Sequence, residues 1–384
     1  MTPSQNDKNE IKMDYIGFDK DSLKRDEQKK AREKNRRDER KKSIKRRVLT
    51  VIGLSVPSLI VTFALALVVM VAIGKSQMLR MNTASLDLPE IESVAAEDSG
   101  KTIIYNGATY KLNKNVTAIL CMGIDRSTVT GADSYGGNGQ SDANFLLTID
   151  TKSGRTCIIP INRDTMVNAN VYSEKGSFAG AQRQQLCLAF ANGDGSKKSC
   201  QNMLRSVSSL FYGIPVETYM AIDLEAIGVL NNAVGGVTVT APESYTYREV
   251  VFKKGETIKL DSALKAEAFV RYRDINRFGS NVDRMNRQKQ FLLAWSKAAI
   301  SKTKQNITFP VSLYNLAADY DINNLNISKI SFLTSVVIGN GKNVNLEFKS
   351  IEGTLKQGEK YAEFVPDEQK LFELILDVFY DKQD

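Results

Sequence analysis

The sequence predicts an α/β protein: a single extracytoplasmic α-β-α domain with a mixed central sheet, preceded by one transmembrane helix. Three observations carry this. Val48 to Gly74 holds no charged residue. Downstream, strand-like and helix-like segments alternate, which favours one layered domain over a string of modules. Three early strands, Val116–Ile124, Asn144–Asp150 and Thr156–Ile161, are apolar on both faces, as expected where helices cover a sheet on each side.

The order along the chain follows from charge and periodicity. Residues 1–47 carry 17 Lys/Arg against 10 Asp/Glu, while the rest of the chain carries 35 against 34. The basic excess ends in KKSIKRR against the apolar run, which orients the tail to the cytoplasm and residues 81–384 outside it. The tail has no apolar face, so it reads as disordered or as an exposed helix drawn to anionic lipid, at about 1 kcal/mol per basic residue near the surface. The run 48–74 is about 40 Å long as a helix, enough to cross a bilayer, and too long and too far inward for a cleaved signal. Because the outer part is nearly neutral and the tail has no folded reading element, no nucleic acid is expected as a partner.

Residues 75–100 read as a linker and 101–384 as the domain. Asn106-Gly107 sits between two short alternating runs and predicts a hairpin. After the strand ending at Ile124 comes a Gly-rich loop, GADSYGGNGQSD, then the strands at 144–150 and 156–161. Helical periodicity appears over Arg183–Ala191 and Ser199–Tyr212. ETYMAIDL is a strand, and LEAIGVLNNAV is a helix closed by Gly235-Gly236. VTVTAP is a further strand. Asp261 and Ser262 cap a helix through Arg271. Asp283–Ile300 is amphipathic, with Met285, Leu292, Trp295 and Ala299 inward, and a last helix lies near Asp367–Tyr380.

The chemistry is marked by arginine. From Met81 onward there are 22 lysines and 11 arginines, yet five arginines fall within Arg271–Arg287 with no lysine among them. Arginine's planar fork grips phosphate-like oxyanions, whereas lysine acts as a point charge. A surface laced with salt bridges is the plainer reading of the same residues. There is no histidine, which excludes His-based acid–base catalysis and His metal ligation. Asp125 and Asp142 stand at strand edges beside the Gly-rich loop, where two carboxylates can hold Mg²⁺ that also takes phosphate oxygens. Cys121 and Cys157 read as buried thiols. Cys187 and Cys200 flank the loop NGDGSKKS, where a disulfide and free thiols are both open.

TAILCMGIDRS, GQSDANFLLTID, IIPINRDTMV, YGIPVETYMAIDLEAIGVLNNAVGGVTV and KAEAFVRYR…DRMNRQ resemble, in order and spacing, the LytR-CpsA-Psr family of membrane-anchored extracytoplasmic enzymes. The resemblance is specific over about 115–300. It implies a phosphotransferase that moves an anionic glycopolymer, such as teichoic acid or capsule, from a polyprenyl-pyrophosphate carrier onto peptidoglycan, with Mg²⁺ as cofactor. It assigns Asp125, Asp142, Arg163, Arg271, Arg273 and Arg284 to catalysis, with Asp125 and Asp142 on the metal. Arg287, Gln288, Asp164 and Asp283 become substrate contacts. Arg284, Arg287 and Gln288, at i, i+3 and i+4, share one helical face. The chain departs from the pattern at Gln140 (often Arg), Ala143 (Thr), Asn162 (Pro) and Asn281 (often Asp), with Asp283 close enough to substitute for the last. A polyprenyl-pyrophosphate hydrolase and a non-enzymatic prenyl-phosphate-binding regulator are the alternatives. Two expectations complete the reading. Arg163, Arg271, Arg273, Arg284 and Arg287 should converge on one pocket, while Arg277, on the loop between the two helices and matching no family position, should tolerate substitution. The lipid tail should lie between the sheet and the helices holding Leu186, Leu188, Phe190, Leu210, Phe211, Leu230 and Val234.

Overall fold

A computed structural model describes residues 20–79, 91, 94–126, 139–341 and 344–383. The chain divides into two units, 1–66 and 67–384. In the first, the helix α1 (Lys20–Met78) begins, and its described side chains there are solvent-exposed. The apolar run 48–74 lies within α1, but the side chains of 46–61 are outside the described residues. Among the described residues no helix is long and apolar enough to cross a membrane.

The second unit is built on a six-stranded mixed sheet. Its order is 321–323, 218–222, 116–124, 141–150, 155–161, 345–348. Val116–Ile124 pairs antiparallel with Ser141–Asp150 and parallel with Thr218–Ile222, so it is central. The strand Asn345–Phe348 adds to Arg155–Ile161 in parallel. The apolar-on-both-faces reading of the inner strands holds because residues of opposite parity enter different cores. Leu120, Met122, Leu146 and Ile159 face a core built with the helices α2 (Leu186–Ala191), α3 (Lys197–Leu210) and, near the C-terminus, Glu368–Phe379. Ile119, Cys121, Leu147 and Ile149 face the opposite side with Met78, Phe332 and Val336.

That opposite side carries the helices that matter for the site: α4 (Leu224–Ala233), α5 (Ala263–Arg271), α6 (Ser280–Gln305), α7 (Phe309–Ala317) and α8 (Ile327–Gly339). Asp223 caps α4 by accepting from Ala226 N, and Ser262 caps α5 by accepting from Lys265 N. Gly235 and Gly236, both at positive φ, end α4 as the sequence indicates. Gly228 lets α4 press against α5: a Cβ there would fall 2.4 Å from Ala263 Cβ.

Several expectations change. The segment 183–191 is half strand and half helix, because residues 178–185 pair with Met166–Tyr172 in a hairpin before α2 begins. The linker ends early, since Val94–Glu97 pairs with Thr102–Tyr105 beside the Asn106-Gly107 hairpin. Cys187 and Cys200 are free and buried, so no disulfide closes the loop between them. Asp194 orders that loop instead, accepting from the backbone N–H groups of Ser196, Lys198 and Ser199.

Asp321, on the edge strand beside Asp223, is only 8% exposed. Burial, opposed by a hydrogen bond from Asn323 and reinforced by Asp223, pushes its carboxyl from 3.8 up to about 6. A raised folded-state value means the charged form is disfavoured by folding. The domain is therefore unburdened below about pH 4 and loses stability as pH rises through about 6. Asp321→Asn keeps an acceptor for Asn323 without the charge. The expected result is a variant more stable than the parent at pH 8, by roughly 1–3 kcal/mol, and equal to it at pH 3.5; denaturant unfolding at both pH values checks it.

Candidate active site

The strand end at Ile124 pairs with Ser141, and Asp125 N donates to Gln140 O, so Asp125 and Asp142 flank one strand junction. Residues 131–138 of the Gly-rich loop lie outside the described residues. Both carboxylates reach the rim of a cavity of ≈ 180 Å³ between the sheet and α4, α5 and α6. Its walls are apolar: Cys121, Phe145, Met220, Ile222, Ile227 and Phe291 are among them. Its rim is charged or polar, with Asp125, Asp142, Arg271, Arg284 and Gln288. A second apolar cavity of ≈ 210 Å³ lies under α7 and α8 and is lined by Leu230, Trp295, Leu313 and Ile330. Met220 forms part of both walls.

Asp142 holds the rim together. Its Oδ1 takes Arg163 Nη1, and its Oδ2 takes Arg284 Nη1 at 2.9 Å. Arg163 also donates to Gln140 Oε1 and, at 3.1 Å, to Cys187 Sγ, while its Nε faces Asp164 at 3.5 Å. Across the rim Arg271 is held between Glu267, at 2.8 Å, and Asp125, at 3.3 Å. Arg284 is buried, and burial presses its guanidinium below its ordinary value, with Asp142 opposing and Arg163 and Arg273 adding to the effect. Its Nε has no hydrogen-bond partner among the described residues. This N–H is thus buried without a partner beside Arg163 and Arg273, an unfavourable arrangement for a guanidinium.

Beyond the Arg163–Asp142 pair the site becomes polar. Arg163, Asp164 and Arg273 line a pocket of ≈ 380 Å³ with Gln185, Lys360 and Tyr361. Asp164 is buried, accepting from Gln185 Nε2 at 2.8 Å and Asn281 Nδ2 at 3.1 Å. Burial raises its proton affinity against the pull of Arg163 and Arg273. Arg273 spends its Nε on Ser280, and no terminal guanidinium nitrogen of it is bonded among the described residues.

Two residues read as substrate contacts lie elsewhere. Arg287 is 1% exposed and faces away from the cavity. Its donors go to Phe269 O, Tyr272 O and Glu243, and its guanidinium lies 5.1 Å and 5.3 Å from the ring centroids of Tyr245 and Tyr272. It locks the link between α5 and α6. Asp283 pairs with Arg277 on the surface, so it does not stand in for a carboxylate at 281. Arg277, on the loop between α5 and α6, also lines the polar pocket. Of the residues expected to hold the lipid tail, Leu186, Phe190 and Phe211 fill the core on the other face of the sheet, while Leu230 does line the second cavity. Met220, Phe145 and Phe291 line the first cavity instead, with no sequence signal to separate them from core residues.

A family model described as LytR_cpsA_psr matches residues 83–376. The chain belongs to the LytR-CpsA-Psr family. Among its LytR-CpsA-Psr relatives is the polyisoprenyl-teichoic acid–peptidoglycan teichoic acid transferase TagV of Bacillus subtilis (strain 168). It is 28% identical over 242 residues, covering 60% of this chain and 55% of that protein. The transferase TagU of Enterococcus faecalis is 23% identical over 248 residues, 64% of this chain and 70% of that one. This chain thus spans about half the length of the TagV relative. The crystal structure of B. subtilis TagV shares the fold with a TM-score of 0.52 at 23% identity, over 68% of this chain and 95% of that one. A structure of TagT bound to LI-WTA does so with a TM-score of 0.50 at 22% identity, over 69% and 90%.

Whether the LytR-CpsA-Psr rim here suits Mg²⁺ turns on the donor set. No group of three or more carboxylate or thiol ligands occurs among the described residues. Asp125 and Asp142 are hard oxygen donors on the rim, each already balanced by arginine, while Asp223, which also lines the cavity, is engaged in capping α4. Such a pair fits Mg²⁺ only when phosphate oxygens and water supply the other ligands, the usual arrangement for this ion.

Asp142→Ala leaves Arg163 and Arg284 facing each other without their shared anion. A loss of about 3 kcal/mol of stability is expected, as for one broken partner of a buried pair. Millimolar pyrophosphate should restore part of it by taking the carboxylate's place. Thermal melting with and without the anion decides: an equal rise in parent and variant would mean that the anion does not bind between these arginines.

Proposed function

We propose that this chain is a membrane-anchored phosphotransferase that moves an anionic glycopolymer from a polyprenyl-pyrophosphate carrier onto peptidoglycan. One observation supports this above the rest: an apolar cavity, a rim of arginines and carboxylates, and a polar pocket follow one another in a line of contacts. A prenyl chain, a pyrophosphate and a sugar polymer occur in that order in such a donor. The apolar run 48–74 anchors the chain in the cell membrane with the tail inside and the domain outside, and family membership accords with this reading.

In the proposed reaction, a peptidoglycan sugar hydroxyl attacks the phosphorus that carries the glycopolymer. A new P–O bond forms to the hydroxyl oxygen, and the bridging P–O bond of the pyrophosphate breaks. Polyprenyl monophosphate leaves with the electron pair. Arg163, Arg271, Arg273 and Arg284 counter the charge that grows on it, which is where positioned guanidiniums favour the transition state over bound donor. Asp164, on the polar side with its proton affinity raised, takes the hydroxyl proton. Mg²⁺, held by Asp125 and Asp142, would supply further charge neutralisation on the phosphates.

The test uses the full chain in membranes with a lipid-linked polymer donor. With peptidoglycan present, polymer should become phosphodiester-linked to the wall and polyprenyl phosphate should be released. Without the acceptor, neither should occur. Release that ignores the acceptor would make the protein a hydrolase, and binding without release would make it a regulator. Arg284→Lys should lower turnover more than donor affinity, since a point charge cannot reproduce the fork. Trp295 is the chain's single tryptophan and lines the second cavity. A brominated prenyl phosphate should quench it if the tail passes Met220, and unchanged fluorescence at saturation would confine the tail to the first cavity.

A further inference from the structure

Helix α7, FPVSLYNLA, is mostly apolar, yet only its Ala317 is fully buried. Leu316 is 46% exposed, and Ile307, in the turn that leads into α7, is 58% exposed. The other apolar side chains of α7 are half-buried and its remaining exposed residues are Ser312 and Asn315, so Ile307 and Leu316 form an apolar edge on an otherwise polar outer face. Two features of the same region indicate what that edge meets.

The first is where α1 docks. Its last turns pack on α8, the helix that follows α7. Gly74 sits so close that a Cβ would fall 1.9 Å from Ser328 O. Asn326 Nδ2 donates to Gln77 Oε1 at 3.0 Å, and Met78 packs with Phe332 and Val336. Immediately before this contact, Leu67, Val68, Val69 and Ile73 of α1 are apolar and exposed. The exposed apolar turns of α1 thus leave the domain at the first turn of α8, where Ile327 is also exposed. The second feature is charge. From 301 to 330 the chain has Lys302, Lys304 and Lys329 against one exposed carboxylate, Asp319, and the buried Asp321; Lys329 is half-buried, donates to Asn324 O and faces Glu217, so Lys302 and Lys304 are the cations left on this surface. Lys302 Nζ lies 5.8 Å from the Phe309 ring centroid, its stem over apolar surface. Lysines flanking aromatic and aliphatic side chains are the composition of a segment that lies in a bilayer interface.

We infer that α7 and the 305–308 turn rest in the headgroup region of an anionic lipid bilayer, so that the cavity beneath α7 opens towards the hydrocarbon. This deepens the proposed function and rests on its membrane anchoring. It gives a prenyl chain a route from the bilayer into the domain that never crosses water. Pro310, Leu313 and Tyr314 of α7 line that second cavity, and Met220 separates it from the cavity at the charged rim.

The test places the full chain in vesicles of phosphatidylglycerol and phosphatidylcholine with brominated acyl chains. A bimane fluorophore is attached in separate variants at Ile307→Cys and Leu316→Cys. Controls carry it at Phe178→Cys and Tyr361→Cys, each 63% exposed and on hairpins away from α7 and α8. The parent chain, with three buried cysteines and the half-buried Cys121, gives the labelling background. Bromolipid should quench positions 307 and 316 several-fold more than 178 and 361. Equal quenching at all four, or none at 307 and 316, overturns the inference, including the case in which α7 is covered by another protein. The readout does not need catalysis. Quenching without polymer transfer would sink the enzymatic reading alone, and transfer with unquenched 307 and 316 would sink only the membrane contact.

Discussion

The site depends on a single carboxylate. Asp142 is the second residue of the strand 141–150, Arg163 follows the strand 155–161, and Arg284 is on the first turns of α6. Their two ion pairs pin α6 to the end of the sheet at the one place where the cavity must close. Buried charges are costly to desolvate, and such a pair adds little net stability over an apolar substitute. Its value lies in geometry. It holds two guanidiniums within reach of one anion and leaves Arg284 Nε unspent.

The cavity arises from an asymmetry between the two faces of the sheet. One face is filled by Phe190, Phe211, Phe372 and Phe379, all with no measurable exposure. On the other, Gly123 and Ala143 present almost no side chain beneath α4, α5 and α6. Small residues on the sheet and Gly228 between α4 and α5 bring the backbones close at the edges while leaving the middle empty. An apolar void costs stability through lost dispersion contacts, so it persists where the surrounding helices cannot collapse into it. The long α6, locked at its N-terminal end by Arg287 and Asp142, is the element that cannot move in.

Much of this was legible in the sequence, and the failures are instructive. Period-two and both-face apolar patterns located the inner strands, and Ser262, Gly235 and Gly236 marked helix ends through specific backbone needs. The arginine density located the rim. Sequence could not tell which arginine turns where: Arg287 is only three residues from Arg284, yet that offset on α6 carries it to Glu243 and the backbone of α5. Nor could it tell a core residue from a cavity wall, since Leu186 and Met220 are equally apolar and differ only in what faces them. The hairpins at 166–185 and 353–366 were missed because their strands are polar on exposed faces and pair only locally.

The departures from the family pattern prove to be coupled rather than scattered. Asn281 Oδ1 accepts from Arg284 Nη2 at 2.8 Å, while its Nδ2 donates to Asn162 Oδ1 and Asp164 Oδ2. An aspartate there would put a second carboxylate about 3 Å from Asp164, and one of the two would have to hold a proton. The amide avoids this by presenting an acceptor to the arginine and donors to the oxygens. Asn162, its partner, is the other asparagine departure, so the two substitutions form one hydrogen-bonded unit. Gln140 follows the same logic, accepting from Arg163 where an arginine would repel it. Ala143 contributes only a methyl to the cavity wall. With no carboxylate at 281 and Asp283 turned to the surface, the polar side of the rim is left with Asp164 as its one buried carboxylate among the described residues. In the proposed reaction, the burden of accepting a proton, which a pair could share, falls there on a single group.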